Sequence, residues 1–368
     1  MEQRLSTLYR VQFPNVRARA PLRLGLAGGG TDLASFSDEH GGVVLNATID
    51  RYAFAHFCLG TEQEVVFKAI DMGLEERLPC TVDIDINQGL CLHRAVYRHM
   101  MLTYNEGRPL PLTISTTIDV PAGSGLGASS ALTVAMIEAF AVAMQLPLGP
   151  YDIASLAYQI ERVDIGLMGG RQDQYAAAFG GFNFIEFLKD GAGVVVNPLR
   201  LRDPFLKEFE SSLIICFSGQ SRESAEIIRQ QLGGLSSSNH GTVQAMHDLK
   251  RHAIEMKAML LEGRIKGVAE VLSESWRAKK KTAVSVSNSE IERLMEVGLQ
   301  AGAWAGKVSG AGGGGFIMLL SDPERRFAIV NALNANGGEA SAVKLTFEGV
   351  EGWVVPDFDS SNRRARPM

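Results

Sequence analysis

Cysteine is scarce in this sequence, tryptophan scarcer, and no apolar run is long enough to cross a bilayer. Cys58, Cys80, Cys91 and Cys216 are widely spaced, with no C-x-x-C pair and no histidine ladder beside them. That pattern excludes a structural zinc site and a disulfide framework, and it suits a reducing compartment. The most apolar long stretch, residues 131–146, is shorter than a membrane span and carries Glu138. The segment MEQRLSTLYRVQF has no apolar core of the signal-peptide kind, so a cytoplasmic location is expected, with no membrane partner. Positive charge is also lacking: the net charge of −5 offers no global field for nucleic acid. The basic runs at Lys279–Lys281 and at Arg363, Arg364 and Arg366 read first as a solvated face and a tail.

What remains is an ordinary folding composition, 46% hydrophobic and 21% charged over 368 residues, enough for two packed cores. Glycine, with 39 residues, is concentrated in three places. An extended run over residues 17–26 leads into Gly28-Gly29-Gly30-Thr31-Asp32. A second segment runs Pro121-Ala122-Gly123-Ser124-Gly125-Leu126-Gly127-Ala128-Ser129-Ser130-Ala131, and a third spans Gly310 to Gly315.

The second segment joins a strand pattern to an apolar helix pattern. A glycine-lined turn into a helix N-terminus is an anion site, because unpaired N–H groups point outward there. Hydroxyls such as Ser129 and Ser130 can cap the helix, touch phosphate or ligate a metal. A Walker A reading fails, since no lysine occurs between Asp119 and Gln145. The dinucleotide fingerprint is matched literally by Gly123, Gly125 and Ala128, but a second helix pattern follows where a strand is required. A plain strand–helix turn without ligand stays open on this segment alone. The other two segments count against it, because dense glycine is tolerated where a ligand approaches backbone. Lys307 and Ser309 precede the third; Lys307 reads equally as a phosphate contact or a solvated strand end.

These three segments, Pro21 to Asp32, Pro121 to Ser130 and Lys307 to Phe316, resemble in order the three motifs of the GHMP kinase superfamily. That superfamily includes galactokinase, homoserine kinase, mevalonate kinase and phosphomevalonate kinase. Ala27 to Leu33, Gly170 to Ala177 and Glu274 to Lys280 look most like its heptose 7-phosphate kinase branch. The Glu-His pair typical of the galactokinase version of the first motif is absent, which counts against galactose.

The resemblance implies an α+β, two-domain GHMP kinase fold: a ribosomal S5 domain 2-like N-terminal domain over residues 1–200, an α+β C-terminal domain over 201–368, and an active site between them. It implies ATP and Mg²⁺. Pro121, Gly123, Ser124, Gly125, Leu126, Gly127, Ala128, Ser129 and Ser130 would hold the nucleotide. Glu161 with Ser129 or Ser130 would hold the metal. Asp173 maps onto the catalytic aspartate, and Arg23 onto the arginine beside it. Loose phosphoryl transfer asks mainly for positioning and charge neutralisation. At a helix start, Asp173 also reads as an N-cap, and Glu161 as a solvent-facing partner of Arg162.

Asp32 is suited to two sugar hydroxyls, or simply to a turn. Gly29, Gly30, Thr31, Arg171, Gln172, Gly312 and Gly313 complete the expected sugar side. A sugar phosphate needs a second anion site, for which Arg222 in Ser221-Arg222-Glu223-Ser224 and Lys280 are the chosen candidates. The expected partner is a small sugar phosphate, with a homodimer allowed. Rivals are another sugar 1-kinase of the fucose or galactose type, a non-catalytic ligand sensor on the same fold, and a dinucleotide oxidoreductase.

The hydrophobic pattern predicts strands over 43–49, 52–59, 64–69, 112–119, 212–217 and 316–320. Helices are expected over 92–104, up to 145 after the second glycine segment, 151–163, 173–179, 224–232, 243–272, 289–302 and from Pro323. Residues 81–88 are left without an element.

Overall fold

The computed structural model describes residues 14–60, 62–219, 224–236 and 240–356. The chain opens with β1 (Val16–Ala27), α1 (Ala34–His40), β2 (Gly42–Leu59), β3 (Glu64–Ala69) and β4 (Leu74–Pro79). Next come α2 (Cys91–Tyr104), β5 (Leu112–Ile118), α3 (Ala128–Met144) and α4 (Pro150–Tyr158). A π-helical stretch, Gln159–Asp164, leads to α5 (Gln172–Phe179), β6 (Phe182–Phe187) and β7 (Val194–Pro198). Beyond lie α6 (Asp203–Ser212), β8 (Leu213–Phe217), α7 (Ser224–Ser236), α8 (His240–Glu262) and α9 (Ile265–Lys280). The chain continues through α10 (Ser289–Gln300), β9 (Ala303–Val308), β10 (Phe316–Ser321), α11 (Arg326–Ala335), β11 (Glu339–Ala342) and β12 (Glu351–Val354).

Two sheets carry the fold. The first has eight strands, with a main path β12-β1-β2-β5-β3-β4 and β6 and β7 branching from β2. The branch follows from the length of β2: its 18 residues pair with β6 over the first part and β5 over the second. The second sheet has four strands in the order β11-β8-β10-β9, all paired antiparallel. This is the mixed α and β architecture that the resemblance implied.

Helix α3 lies against β1, β2 and β12. It is apolar on every side, as a helix enclosed by protein must be, and Val134, Ala135, Met136, Ile137 and Phe140 are wholly buried. In β1 the alternating Ala18, Ala20, Leu22, Leu24 and Leu26 enter the first core. Arg23 therefore projects the other way.

Several elements differ from expectation. The segment taken as one helix over 243–272 is two, α8 and α9, because Gly263 adopts φ +76° and closes the first with its N–H on Leu260 O. The two strands over 43–49 and 52–59 are one. Strands β4, β6, β7, β9, β11 and β12 and helices α1 and α6 had no expected counterpart. β12 returns to the first sheet and pairs with β1, Arg19 opposite Glu351, with an Arg19–Glu351 ion pair across the register. Among the described residues no helix is long and apolar enough to cross a membrane.

Candidate active site

The three glycine segments meet. The N–H of Arg23 donates to Leu126 O at 3.0 Å, joining β1 to the second segment. The N–H of Phe316 donates to Ser124 O at 3.0 Å, joining the third segment to the same loop. Fit between loops is tight enough to demand glycine. Gly125 has φ +77°, and a Cβ there would lie 2.7 Å from Ser309 O; one at Gly310 would lie 2.6 Å from Gly125 O.

Together they line a cleft of about 420 Å³. Its walls include Arg23, Gly29, Gly30, Asp32, Gly123, Ser124, Gly125, Gly127, Ala128, Ser129, Ser130, Gln172 and Asp173. Gly127 starts α3 with φ +76°, and Ala128, Ser129 and Ser130 form its first turn, where backbone N–H groups have no intrahelical acceptor. Ser124 Oγ is buried with no partner. A glycine-lined cradle with free donors and an orphaned hydroxyl is the fit a polyphosphate requires.

Beside the cradle, Arg23 Nε donates to Asp173 Oδ1 at 2.8 Å, and Nη2 lies 2.7 Å from the same oxygen. Arg23 Nη1 is held by Gly125 O at 2.7 Å and by Ser309 Oγ at 3.2 Å. The arginine is 4% exposed and the aspartate 23%, so the carboxylate keeps a face toward the cleft. Asp173 lies in the first turn of α5; Arg171 is the helix N-cap and makes no side-chain cap bond.

Asp32 is 2% exposed. Its Oδ1 accepts from Gly30 N at 2.9 Å and Gln172 Nε2 at 3.2 Å, and its Oδ2 accepts from Gln172 N at 3.2 Å. The first turn is thereby tied to the residue preceding Asp173. Thr31 braces the same turn from behind, its Oγ1 lying 2.8 Å from both Gly28 O and Val43 O, and it is absent from the cleft wall.

Glu161 is wholly buried, which corrects the solvent-facing alternative. The π-helical stretch turns it inward: Oε2 accepts from Ser130 Oγ at 2.7 Å and Gln174 Nε2 at 2.5 Å, and Oε1 from Thr133 Oγ1 at 2.8 Å. Arg162 Nη2 stands 3.3 Å from Oε2. A carboxylate and a serine hydroxyl side by side, at the helix start that the cradle surrounds, are hard oxygen donors of the type Mg²⁺ prefers. The unpartnered Gln174 Oε1 lies in the same cluster. These residues fit the ion.

Other candidates fall elsewhere. Pro121 is exposed at the outer end of the loop, and Leu126 is core. Arg171 faces Asp38 at 3.3 Å and the Tyr158 ring at 5.4 Å, outside the cleft wall. Gly312 and Gly313 pack under the turn at Val284–Val286, where Gly313 N donates to Val286 O at 2.7 Å. Lys280 pairs with Glu292 at 3.0 Å on the surface. Arg222 lies outside the described residues.

The lysine that does reach the cleft is its neighbour, Lys279, which is 3% exposed and donates to Gly29 O at 2.9 Å. Burial lowers it to about 8, Asp32 opposing and Arg23 reinforcing the shift. The sequence did carry a signal: Val268, Leu272, Ser275 and Lys279 recur at helical spacing on the buried face of α9. Lys307 is neither solvated nor on the cleft wall. It is 3% exposed, donates to Gly25 O at 2.7 Å, and is pushed to about 7 by burial and then by Lys279 and Arg23.

Comparison with known proteins decides the family. The N-terminal domain of the GHMP kinases matches residues 92–181, and the GHMP kinase C-terminal domain matches residues 256–339. The D-glycero-alpha-D-manno-heptose 7-phosphate kinase of Campylobacter jejuni is 39% identical over 340 residues, 92% of this chain and 99% of that protein. The chain is a GHMP kinase.

This GHMP kinase also resembles the crystal structure of a D-glycero-D-manno-heptose 1-phosphate kinase from Bacteriodes thetaiotaomicron. The TM-score is 0.79 at 38% identity, covering 93% of this chain and 100% of that one. The bifunctional fucokinase/GDP-fucose pyrophosphorylase of Arabidopsis thaliana is 26% identical over 330 residues, 87% of this chain and 31% of that protein. Membership of a kinase family implies ATP as the phosphoryl donor.

Proposed function

We propose that this GHMP kinase transfers the γ-phosphate of ATP to the anomeric hydroxyl of D-glycero-D-manno-heptose 7-phosphate, giving the 1,7-bisphosphate. The observation that carries this is the Arg23–Asp173 pair standing beside a glycine cradle at a helix start. The hydroxyl oxygen forms the new P–O bond in line as the bond between the β- and γ-phosphates breaks and ADP leaves. Asp173 orients that hydroxyl and takes its proton late, while Arg23 and the loop N–H groups balance charge on the transferring group. Glu161 with Ser130 or Ser129 would hold Mg²⁺, which neutralises phosphate charge when bound. Asp32, Gly29, Gly30 and Gln172 face the sugar.

The two heptose kinases carry names that put the pre-existing phosphate at opposite ends of the sugar. Either order yields the same bisphosphate. A hemiacetal hydroxyl is more acidic than a primary one, so a carboxylate, being a weak base, suits attack from the anomeric position. That supports the 7-phosphate as substrate. Residues 1–200 supply the cradle and Asp173, residues 201–368 supply α9 and the third glycine segment, and we assign these as the two domains, with β12 returning from the second to complete the first sheet. Four unpaired cysteines support a cytoplasmic enzyme.

The test is coupled ADP release across heptose 7-phosphate, heptose 1-phosphate, fucose, galactose and mevalonate. The reading expects kcat/KM for heptose 7-phosphate to exceed every other acceptor. Equal turnover of unphosphorylated fucose, or preference for the 1-phosphate, overturns it.

A further inference from the structure

A buried ammonium is retained only where something compensates its lost hydration. Lys279 and Lys307 are both 3% exposed, yet they are compensated differently. Lys307 lies behind the cleft wall with two carbonyl acceptors, Gly25 O and Val308 O. Lys279 is part of the wall and, among the described residues, has one hydrogen-bond acceptor, Gly29 O. Among the described residues, two of its three N–H bonds are thus left for whatever enters. Space for that is kept by Gly30, whose φ of +107° favours glycine and where a Cβ would stand 3.2 Å from Nζ. Asp32 is the carboxylate whose field Lys279 feels, and three donors occupy its oxygens without exhausting their lone pairs. The ammonium and the carboxylate thus line the same cleft as the cradle.

We infer that Lys279 is a binding residue for the acceptor sugar, donating to sugar oxygens that Asp32 engages from the opposite side. The inference rests on the sugar-kinase reading and adds to it a residue from α9. Because α9 belongs to the second half of the chain and Gly29 to the first, the acceptor would be gripped by both. Lys280, one residue on, is paired with Glu292 and takes no part.

The experiment compares Lys279→Met, Lys280→Met and the unaltered enzyme in steady-state kinetics with each substrate varied in turn. Lys279→Met should raise KM for the acceptor sugar about 10- to 100-fold, the range for hydrogen bonds from a charged donor. KM for ATP should stay within about twofold, and Lys280→Met should change neither. Groups facing Nζ are Asp32, Arg23 and Lys307. Since burial pushes Lys279 down to about 8, kcat/KM for the sugar should fall above that pH in the unaltered enzyme. The same limb should be missing in Lys279→Met; any limb from Lys307 persists in both.

An acceptor KM within twofold of the unaltered enzyme, or equal rises for both substrates, overturns the inference. If Lys279→Met does not fold, Lys279→Arg, which keeps the charge, is scored by the same split between acceptor and ATP. If the unaltered enzyme prefers a sugar other than heptose 7-phosphate, the proposed substrate falls and the KM comparison is run with the preferred sugar. Absence of turnover with every sugar overturns both.

Discussion

Asp173 and Glu161 are two carboxylates that approach the same helix start, and the fold treats them in opposite ways. Asp173 has one cationic partner, Arg23, and a face open to the cleft. Glu161 has no exposed surface and is surrounded by two hydroxyls and an amide, with Arg162 at 3.3 Å. An open carboxylate held by a guanidinium can meet a reactant without losing its orientation. An enclosed one, held by two hydroxyls and an amide with a single guanidinium at its edge, is prepared to exchange its neutral donors for an ion. Location in the chain does not separate them, since both come from the same helical layer; access does.

The strongest way to break the contrast is Asp173→Asn. Turnover should fall about 10³-fold, the middle of the range for a positioned proton acceptor, while ATP affinity by titration stays near that of the unaltered enzyme. Turnover within tenfold would make Asp173 a plain helix-start residue. Arg23→Met comes next, with an expected loss of about 10²-fold in kcat. It should also lower the thermal midpoint, because Gly125 O and Asp173 lose their Arg23 donor and Ser309 Oγ keeps Gly25 N alone.

Glu161→Gln sharpens the comparison. The Mg²⁺ concentration for half-maximal rate should rise about tenfold or more, while kcat at saturating Mg²⁺ changes little. An unaltered Mg²⁺ titration would reduce Glu161 to a hydrogen-bonded core group.

His93 is the control, a buried titratable group absent from the cleft wall. It is 2% exposed, bonds Thr116 Oγ1 at 2.9 Å, and is lowered to about 4 by burial. The unfolded chain therefore binds the proton first as pH falls below 6.5, and stability is lost progressively toward pH 4. At pH 5 this one group should remove about 2 kcal/mol relative to pH 7. Urea unfolding of His93→Gln at both pH values should show a smaller acid loss than the unaltered protein, with activity at pH 7 unchanged. Equal losses would remove His93 from the account.

Much of the site was legible because glycine excess is a local signal. The three turns needed no knowledge of their partners to stand out, and the residues around Asp173 followed from the motif order. What was not legible depended on non-local packing. The inward turn of Glu161 relies on a π-helical register that no side-chain pattern announced. Lys279 could have been told from Lys280 by carrying the spacing of Val268, Leu272 and Ser275 one step further. The basic triplet drew the eye to charge instead of face. Gly263 likewise marked a helix end inside an apolar pattern long enough to hide it. β12 could not have been paired with β1 from its own four residues, since the choice of an edge belongs to the partner strand.

That pairing bears on how the molecule comes into being. The outer edge of the first sheet is finished by a strand that follows the entire second sheet in the chain, so the first half cannot close on its own during synthesis. A truncated first half would present β1 as a bare edge, open to pairing with a neighbouring chain. The two halves are stitched together at their far ends, and neither is a free-standing module.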